Sequence, residues 1–394
     1  MKVFTKSGSK AVLLVLGTFL FGFMELKAQD FTYGGYLQAL PLRISAEMPE
    51  PFGDEVFWEY RLQNRLDLRW TPTDNLEFNA QGRARLFAGD LVKDIPGYAS
   101  LIDTDDGYAN LSWMAVESSD VLLHLIPDRL FADWSAGDWN VRVGRQRVNW
   151  GINTITNPND LFNIYSIYEF DYPERPGTDA VRVRYFLDWA SRLEVAAAPS
   201  RGGIRQSTYA LMYGFNTSGY DIQLIGGWYR NRYALGGGWA GSVGETGFKG
   251  ELMAFYDAEP ENTESNREAS LVAAVTADHM FGNGLFLITE ALWNSRGGID
   301  TFGLLGQPLS ADNPSISEWQ LSAIAQYSFN PLLSGSLSAI WYPDESGLFL
   351  SPSIDYSITQ NTDLMLLSQF FLGADDSPLA NAGNIMALSL KWNF

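Results

Sequence analysis

The chain has 394 residues, 27 Lys and Arg against 46 Asp and Glu, a formal net charge of −19 and no cysteine. So acidic a balance excludes a nucleic-acid binder, which needs a basic face. The missing cysteines exclude a disulfide framework and a lipid-modified N-terminal cysteine.

Lys2, Lys6 and Lys10 precede the apolar run AVLLVLGTFLFGF, residues 11–23, which is too short to cross a bilayer as a helix. The small Ala28 follows. This pattern predicts a signal peptide over residues 1–28, with Gln29 as the new N-terminus and 29–394 as a single domain; a retained anchor is the alternative. No later stretch is an apolar helix of membrane length, yet the chain is rich in Trp, Tyr, Phe and Gly. In an exported chain, that combination points to a β-barrel that crosses the membrane with strands.

Strict alternation is the test. In EYRLQNRLDLRW, Tyr60, Leu62, Leu66, Leu68 and Trp70 share one face, interrupted by Asn64; Glu59, Arg61, Gln63, Arg65, Asp67 and Arg69 share the other. After the turn TPTDN, Leu76, Phe78, Ala80, Gly82 and Ala84 alternate with Glu77, Asn79, Gln81, Arg83 and Arg85. A barrel strand is apolar toward lipid and polar toward the lumen, whereas a row of arginines is hard to bury in a dry sandwich core. Short connections (TPTDN, SAGD, DWAS, NTSG, GNG, NP) alternate with long ones at 90–120, 149–178, 257–267 and 296–314. Short periplasmic turns and long extracellular loops produce that asymmetry. The expected fold is all-β: a transmembrane antiparallel up-and-down barrel of about 18 strands, within a range of roughly 16–18. Its last segment, NIMALSLKWNF, sets Met386, Leu388, Leu390, Trp392 and Phe394 on one face and ends on the aromatic. That ending resembles the signal by which outer-membrane barrels engage the barrel-assembly machinery.

Arg61, Arg65, Arg69, Arg83, Arg85, Arg129, Arg142, Arg182, Arg184 and Arg192 fall on or near the predicted lumen face of strands two to seven. Inward positions later in the chain are small or neutral: Gln320, Ser322, Gln326 and Ser328, then Ser351, Ser353, Asp355 and Ser357. A basic wall should therefore face a polar one across a wet lumen. Two readings of the arginines stay open, and both can hold. They form an electropositive path for solutes, or they pair with Asp67, Glu77, Asp133 and Glu194 as wall salt bridges. Other acids gather in loops: Asp103, Asp105 and Asp106; Glu169, Asp171 and Glu174; Glu259, Glu261 and Glu264.

The connection at 149–178 is long for structureless surface. It opens with Asn149 and Trp150, and its Asn157-Pro158 and Asn159-Asp160 corners suit side-chain-bonded turns. Ile152, Ile155, Leu161, Phe162, Ile164, Tyr165 and Phe170 are too apolar for a loop in water. The loop is expected to fold into the barrel and constrict it, with Glu169, Asp171, Glu174 and Arg175 against the arginine wall. A capping loop that only seals or stiffens the barrel is the alternative. Asn157, Asn159, Asp160 and Asp171 are oxygen donors suited to calcium, but their spacing matches no EF-hand, so neither metal nor cofactor is expected.

At these residues a family resemblance enters. GRQRVNWG, NPNDLFN and DYPERPGTDAVRVRY resemble the core of a porin-like outer-membrane family of Bacteroidetes, over about residues 120–190. They are distantly similar to a segment of alginate-export-type porins. The resemblance implies an outer-membrane β-barrel that passes small solutes, and it carries over no catalytic residue.

Catalysis has little to start from. His124 and His279 lie far apart in sequence, neither beside a nucleophile in a recognisable motif; acid-pair hydrolysis stays open because carboxylates are abundant. Strands begin almost directly after Gln29, which leaves no room for the plug domain of an energised receptor. The sequence thus reads as a non-enzymatic channel of the bacterial outer membrane, bathed in lipid, for passive diffusion of small polar or anionic solutes. A homotrimer stays open. The alternatives are a plugged barrel with a structural or adhesive role, a substrate-specific exporter and a barrel hydrolase.

Overall fold

The computed structural model describes residues 31–48, 53–164, 168–258, 269–297, 309–375, 377–380 and 382–394. The predicted leader at 1–28 with Gln29, the loop residue Tyr165, and Glu259, Glu261 and Glu264 lie outside them. So do most of the connections expected at 257–267 and 296–314.

Among the described residues nineteen strands form one sheet. The chain runs through β1 (Phe31–Met48), β2 (Gly53–Thr73), β3 (Leu76–Gly89), two short helices (Asp90–Asp94 and Tyr98–Ile102), β4 (Trp113–Glu117) and β5 (Val121–Ala136). β6 (Trp139–Gln146) and β7 (Thr178–Phe186) flank the long loop, followed by β8 (Arg192–Ala198), β9 (Thr208–Thr217), β10 (Tyr220–Tyr229) and β11 (Arg232–Val243). Then come β12 (Thr246–Asp257), β13 (Ala269–Met280), β14 (Leu285–Asn294) and β15 (Trp319–Asn330). β16 (Leu333–Tyr342), β17 (Gly347–Thr359), β18 (Thr362–Gly373) and β19 (Asn384–Asn393) complete the sheet.

All pairings are antiparallel, and β19 returns to β1, so eighteen strands close the barrel. The seam is sealed by the last residue: Phe394 and Gly35 exchange backbone hydrogen bonds of 3.0 and 3.1 Å. The nineteenth strand is β4, which pairs with the upper part of β5 (Leu122–Leu125), while β6 takes its lower part from Leu130 to Ala136. β4 thus patches the wall where the shorter β6 has already turned away. Its five residues carry a register slip between Met114 and Val116, too brief and irregular a pattern for alternation to reveal.

Alternation explains the rest. Outward Leu62, Leu211, Leu235, Leu337 and Leu388 are exposed, while backbone groups are satisfied strand to strand, as a bilayer demands. Aromatic side chains sit toward both ends of the outer surface, Trp134, Trp139 and Trp392 at the turn side, Tyr233, Tyr256 and Trp319 at the loop side. These are the girdles of a membrane barrel. β2 is 21 residues long, whereas β6, β7 and β8 have 8, 9 and 7. The rim is therefore lowest where the 149–178 loop departs.

The interior differs from the expected pairing of one basic and one polar wall. A third, apolar sector lines β8 to β14, where Ala196, Ala210, Met212, Ile225, Ala234 and Met253 pack against Val148, Trp150 and Leu161 of the loop. Alanines at inward positions leave an alcove into which loop side chains fit. Burying each large apolar side chain there stabilises the docked loop by about 1.5–3 kcal/mol.

Candidate functional site

The loop is built from a clamp at its base. Gly144 has a φ of 120°, and a Cβ there would stand 2.2 Å from the Leu130 carbonyl oxygen, so glycine is required beside β5. Arg145 turns to Asp105 (2.8 Å) and Asp179 (2.9 Å) and donates to the Ala109 carbonyl (2.7 Å). Burial works against the charge of Asp105, but Arg145 and the N–H groups of Leu111 and Gly107 outweigh it and hold this carboxyl below its ordinary value. Asn163 accepts from the Val148 N–H (2.8 Å) and donates to the Pro176 carbonyl (3.0 Å). The three motif segments are thus the start, middle and end of one closed loop, tied to each other. Asp160 completes the corner, donating its N–H to the Asn157 carbonyl and accepting from the Asn163 N–H. Burial pushes Asp160 up to about 8, against the opposing pull of Arg147 and of that N–H. Asn149, exposed at the loop's start, accepts the Gly151 N–H at 3.2 Å.

Beyond the clamp, the first half follows the apolar sector. The Trp150 indole donates to Glu194 on β8 (2.8 Å), and its carbonyl accepts from Gln223 on β10 (2.6 Å). Two wall carboxylates then receive loop backbone. Glu251 on β12 accepts N–H groups of Ile152, Asn153 (2.7 Å) and Asn159 (2.8 Å). Glu290 on β14 accepts those of Ile155 (3.3 Å) and Thr156 (2.9 Å), together with the Thr276 hydroxyl (2.9 Å). Sequence reasoning missed both glutamates. Their one signal is an inward acid, in KGELMAF and in LITEALW.

The second half crosses to the arginine wall. Tyr168 bonds the Tyr342 hydroxyl, lies 5.0 Å from the Phe349 ring, and its carbonyl accepts from Gln369 on β18 (3.0 Å). Asp171 meets Arg61 on β2 at 2.6 Å. Burial disfavours its charge, but Arg61, Arg83 and Arg85 outweigh burial and keep its carboxyl below the ordinary value. Tyr172 donates its hydroxyl to Asp128 (2.7 Å) under the Arg83 guanidinium, 3.3 Å from the ring centroid. Glu174 accepts from Tyr36 (3.3 Å) and stands 3.8 Å from Arg65. Arg129 donates to the carbonyls of Glu174 (2.7 Å) and Arg175 (3.1 Å), and Arg175 has a left-handed φ of 60°. Glu169 is exposed, within electrostatic reach of Arg83 and Arg85.

The remaining arginines are largely paired along the wall. Arg61 also bonds Glu59, and Arg65 bonds Asp128 (2.6 Å) and Asp67 (2.8 Å). Arg69 lies 3.6 Å from Glu77, and Arg142 bonds Asp133. Glu194 gathers Arg184 (2.6 Å), Arg182 (3.9 Å) and Arg192 (4.0 Å). Among these wall arginines, Nε and Nη1 of Arg83, Nε of Arg85, and Nε and Nη2 of Arg182 are buried without a hydrogen-bond partner among the described residues.

At the height of the loop, inward side chains are buried around the ring. Gln63, Arg83, Arg182, Glu251, Glu290 and Gln369, on six well-spread strands, are each no more than 6% exposed. A wide aqueous passage would leave such side chains wet; here the loop lies directly against four of them, Arg83, Glu251, Glu290 and Gln369. Toward the turn side the lumen opens, and the side chains of Arg69 and Arg192 are 58% and 44% exposed.

One contact resembles catalytic machinery. His124 Nε2 lies 2.6 Å from Ser112 Oγ. Its Nδ1, however, faces Arg85 Nη2 at 2.9 Å, and a guanidinium only donates. Nδ1 therefore accepts, Nε2 keeps its proton, and the Ser112 hydroxyl donates to Asp103. The imidazole is therefore not a base for Ser112. Among the described residues no group of three His, Cys, Asp or Glu could hold a metal ion.

No family model matches the chain, and no curated protein matches it. Solved structures do. OccK5 (OpdH) of Pseudomonas aeruginosa aligns with a TM-score of 0.58 at 9% identity, over 93% of this chain and 98% of that one. OccAB4 of Acinetobacter baumannii aligns at 0.56 with 8% identity, over 93% and 98%. The outer membrane protein opdK of Pseudomonas aeruginosa aligns at 0.55 with 10% identity, over 93% and 99%. At such identities the shared property is the fold: the chain is a closed barrel of porin architecture.

Proposed function

We propose that this protein is a porin-like channel of the bacterial outer membrane, through which small polar or anionic solutes diffuse passively. The observation that carries the proposal is a membrane-type barrel whose inner wall holds arginines on five strands, from Arg61 on β2 to Arg184 on β7. In this reading Arg61, Arg65, Arg69, Arg83, Arg85, Arg129, Arg142, Arg182 and Arg184 line the path, and the 149–178 loop sets its cut-off. Confined charge biases which ions pass, and in this reading no bond is made or broken. Kinship with the Bacteroidetes porin-like family is part of the same proposal and rests on the three motif segments that close the loop. Residues 1–28 serve export, and Phe394 addresses the barrel to its assembly machinery.

Single-channel current in a planar bilayer under a potassium chloride gradient tests the proposal. A reversal potential favouring chloride, lost when Arg83, Arg85, Arg182 and Arg184 are neutralised, supports it; cation preference of the wild type overturns the basic path. The buried ring at loop height favours a second reading, a sealed barrel with a structural role. That reading gains if folded protein is silent both with and without residues 149–178.

A further inference from the structure

The two halves of the internal loop are held by different physics. The first half, 148–164, rests in the apolar alcove and hangs its backbone N–H groups on Glu251 and Glu290. An incoming anion gains nothing there, because the wall groups are themselves carboxylates. The second half reaches the arginine wall mainly through its own charges: Asp171 on Arg61 at 2.6 Å and Glu174 beside Arg65 at 3.8 Å. A guanidinium fork recognises an oxyanion by shape and charge, whichever molecule carries it. Between these two contacts stands Arg83, 6% exposed, stacked on Tyr172, with Nε and Nη1 unpartnered among the described residues. These are donors in place before any solute arrives.

We propose that Arg61, Arg65 and Arg83 form an anion-binding site whose resident occupants are the loop's own Asp171 and Glu174, and that a small oxyanion displaces them and frees residues 168–176. The inference rests on the channel reading above. An anion exchanges with Asp171 at Arg61, and the spare donors of Arg83, covered while the loop is docked, join it as the segment leaves. It shifts the population toward the open arrangement because only that arrangement uncovers the Arg61 Nη1 donor and the spare donors of Arg83. The moving segment ends at Arg175, whose left-handed backbone is pinned by two Arg129 hydrogen bonds. Phe170, packed on the apolar patch around Leu40 and Leu42, is the restraint that returns the segment.

The test is bilayer current as potassium acetate is raised, for the wild type, for Asp171→Asn/Glu174→Gln, and for a chain lacking 149–178. The wild-type current should climb more steeply than in proportion to acetate. The double variant should carry several-fold more current at low acetate and rise in simple proportion. A proportional wild-type current equal to that of the double variant overturns the inference, and the channel reading survives it. Silence of all three proteins, each folded, overturns both. If the double variant gives no folded barrel, the shape of the wild-type curve decides alone.

Discussion

Three backbone N–H groups of the loop end on Glu251, and only a carboxylate presents two oxygens able to accept them all. Glu251→Gln turns an amide NH2 toward one of those donors, and a buried unpaired polar group costs about 1–3 kcal/mol. The expected outcome is several-fold faster cleavage within 152–159 by added protease, with the barrel's heat-dependent shift in gel mobility unchanged. Asp160 gives a pH dependence of defined sign. Its docked value, about 8, lies above that of a free carboxyl. The stability it lends the docked loop is therefore complete below pH ~4 and drains away as pH rises toward 8. Arg147 and Arg175 oppose this and Glu251 reinforces it. Amide exchange over 157–163 should accelerate between those limits beyond its intrinsic pH dependence, and Asp160→Asn should abolish the excess. Asp160 was recognisable in the sequence because Asn-Pro and Asn-Asp corners announce a turn. Glu251 and Glu290 were not, because an acid on a lumen face shows its purpose only when the partner, here another segment's backbone, is in place.

Elements differ in how plainly they announce themselves. β2 and β3 could be read as strands residue by residue, since a period of two is local. The loop's apolar residues were legible as needing cover, and Trp150 and Leu161 have it against wall residues. The alcove that receives it was hidden, since Ala196, Ala210 and Ala234 read as neutral when only polar and basic inward positions are sought. Its small side chains are what make the docking specific. Ala196→Leu should crowd the Trp150 side of the loop at a cost of about 1–3 kcal/mol. Limited proteolysis would then report a loosened first half, while the Arg61–Asp171 contact on the far side is left intact. Unchanged cleavage would mean that the alcove contributes little to docking.

For the whole molecule, closure was legible from the amphipathic last strand, but the manner of closure was not. Gly35 lies so near β2 that a Cβ would stand 2.0 Å from the Arg65 carbonyl oxygen, and it also bonds Phe394. Gly35→Ala should force β1 and β2 apart beside the seam and lower the yield of heat-resistant folded barrel, whereas the same change at the open turn glycine Gly282 should spare it.

That seam is also held from within. Phe170 packs on a patch drawn from Leu40 and Leu42 of β1, Leu367 of β18 and Ala387 of β19, which is to say on both banks of the joint where the first and last strands meet. A segment from the middle of the chain thus braces, from inside, the joint between its two ends: the loop is a buttress for the cylinder as well as an obstacle within it.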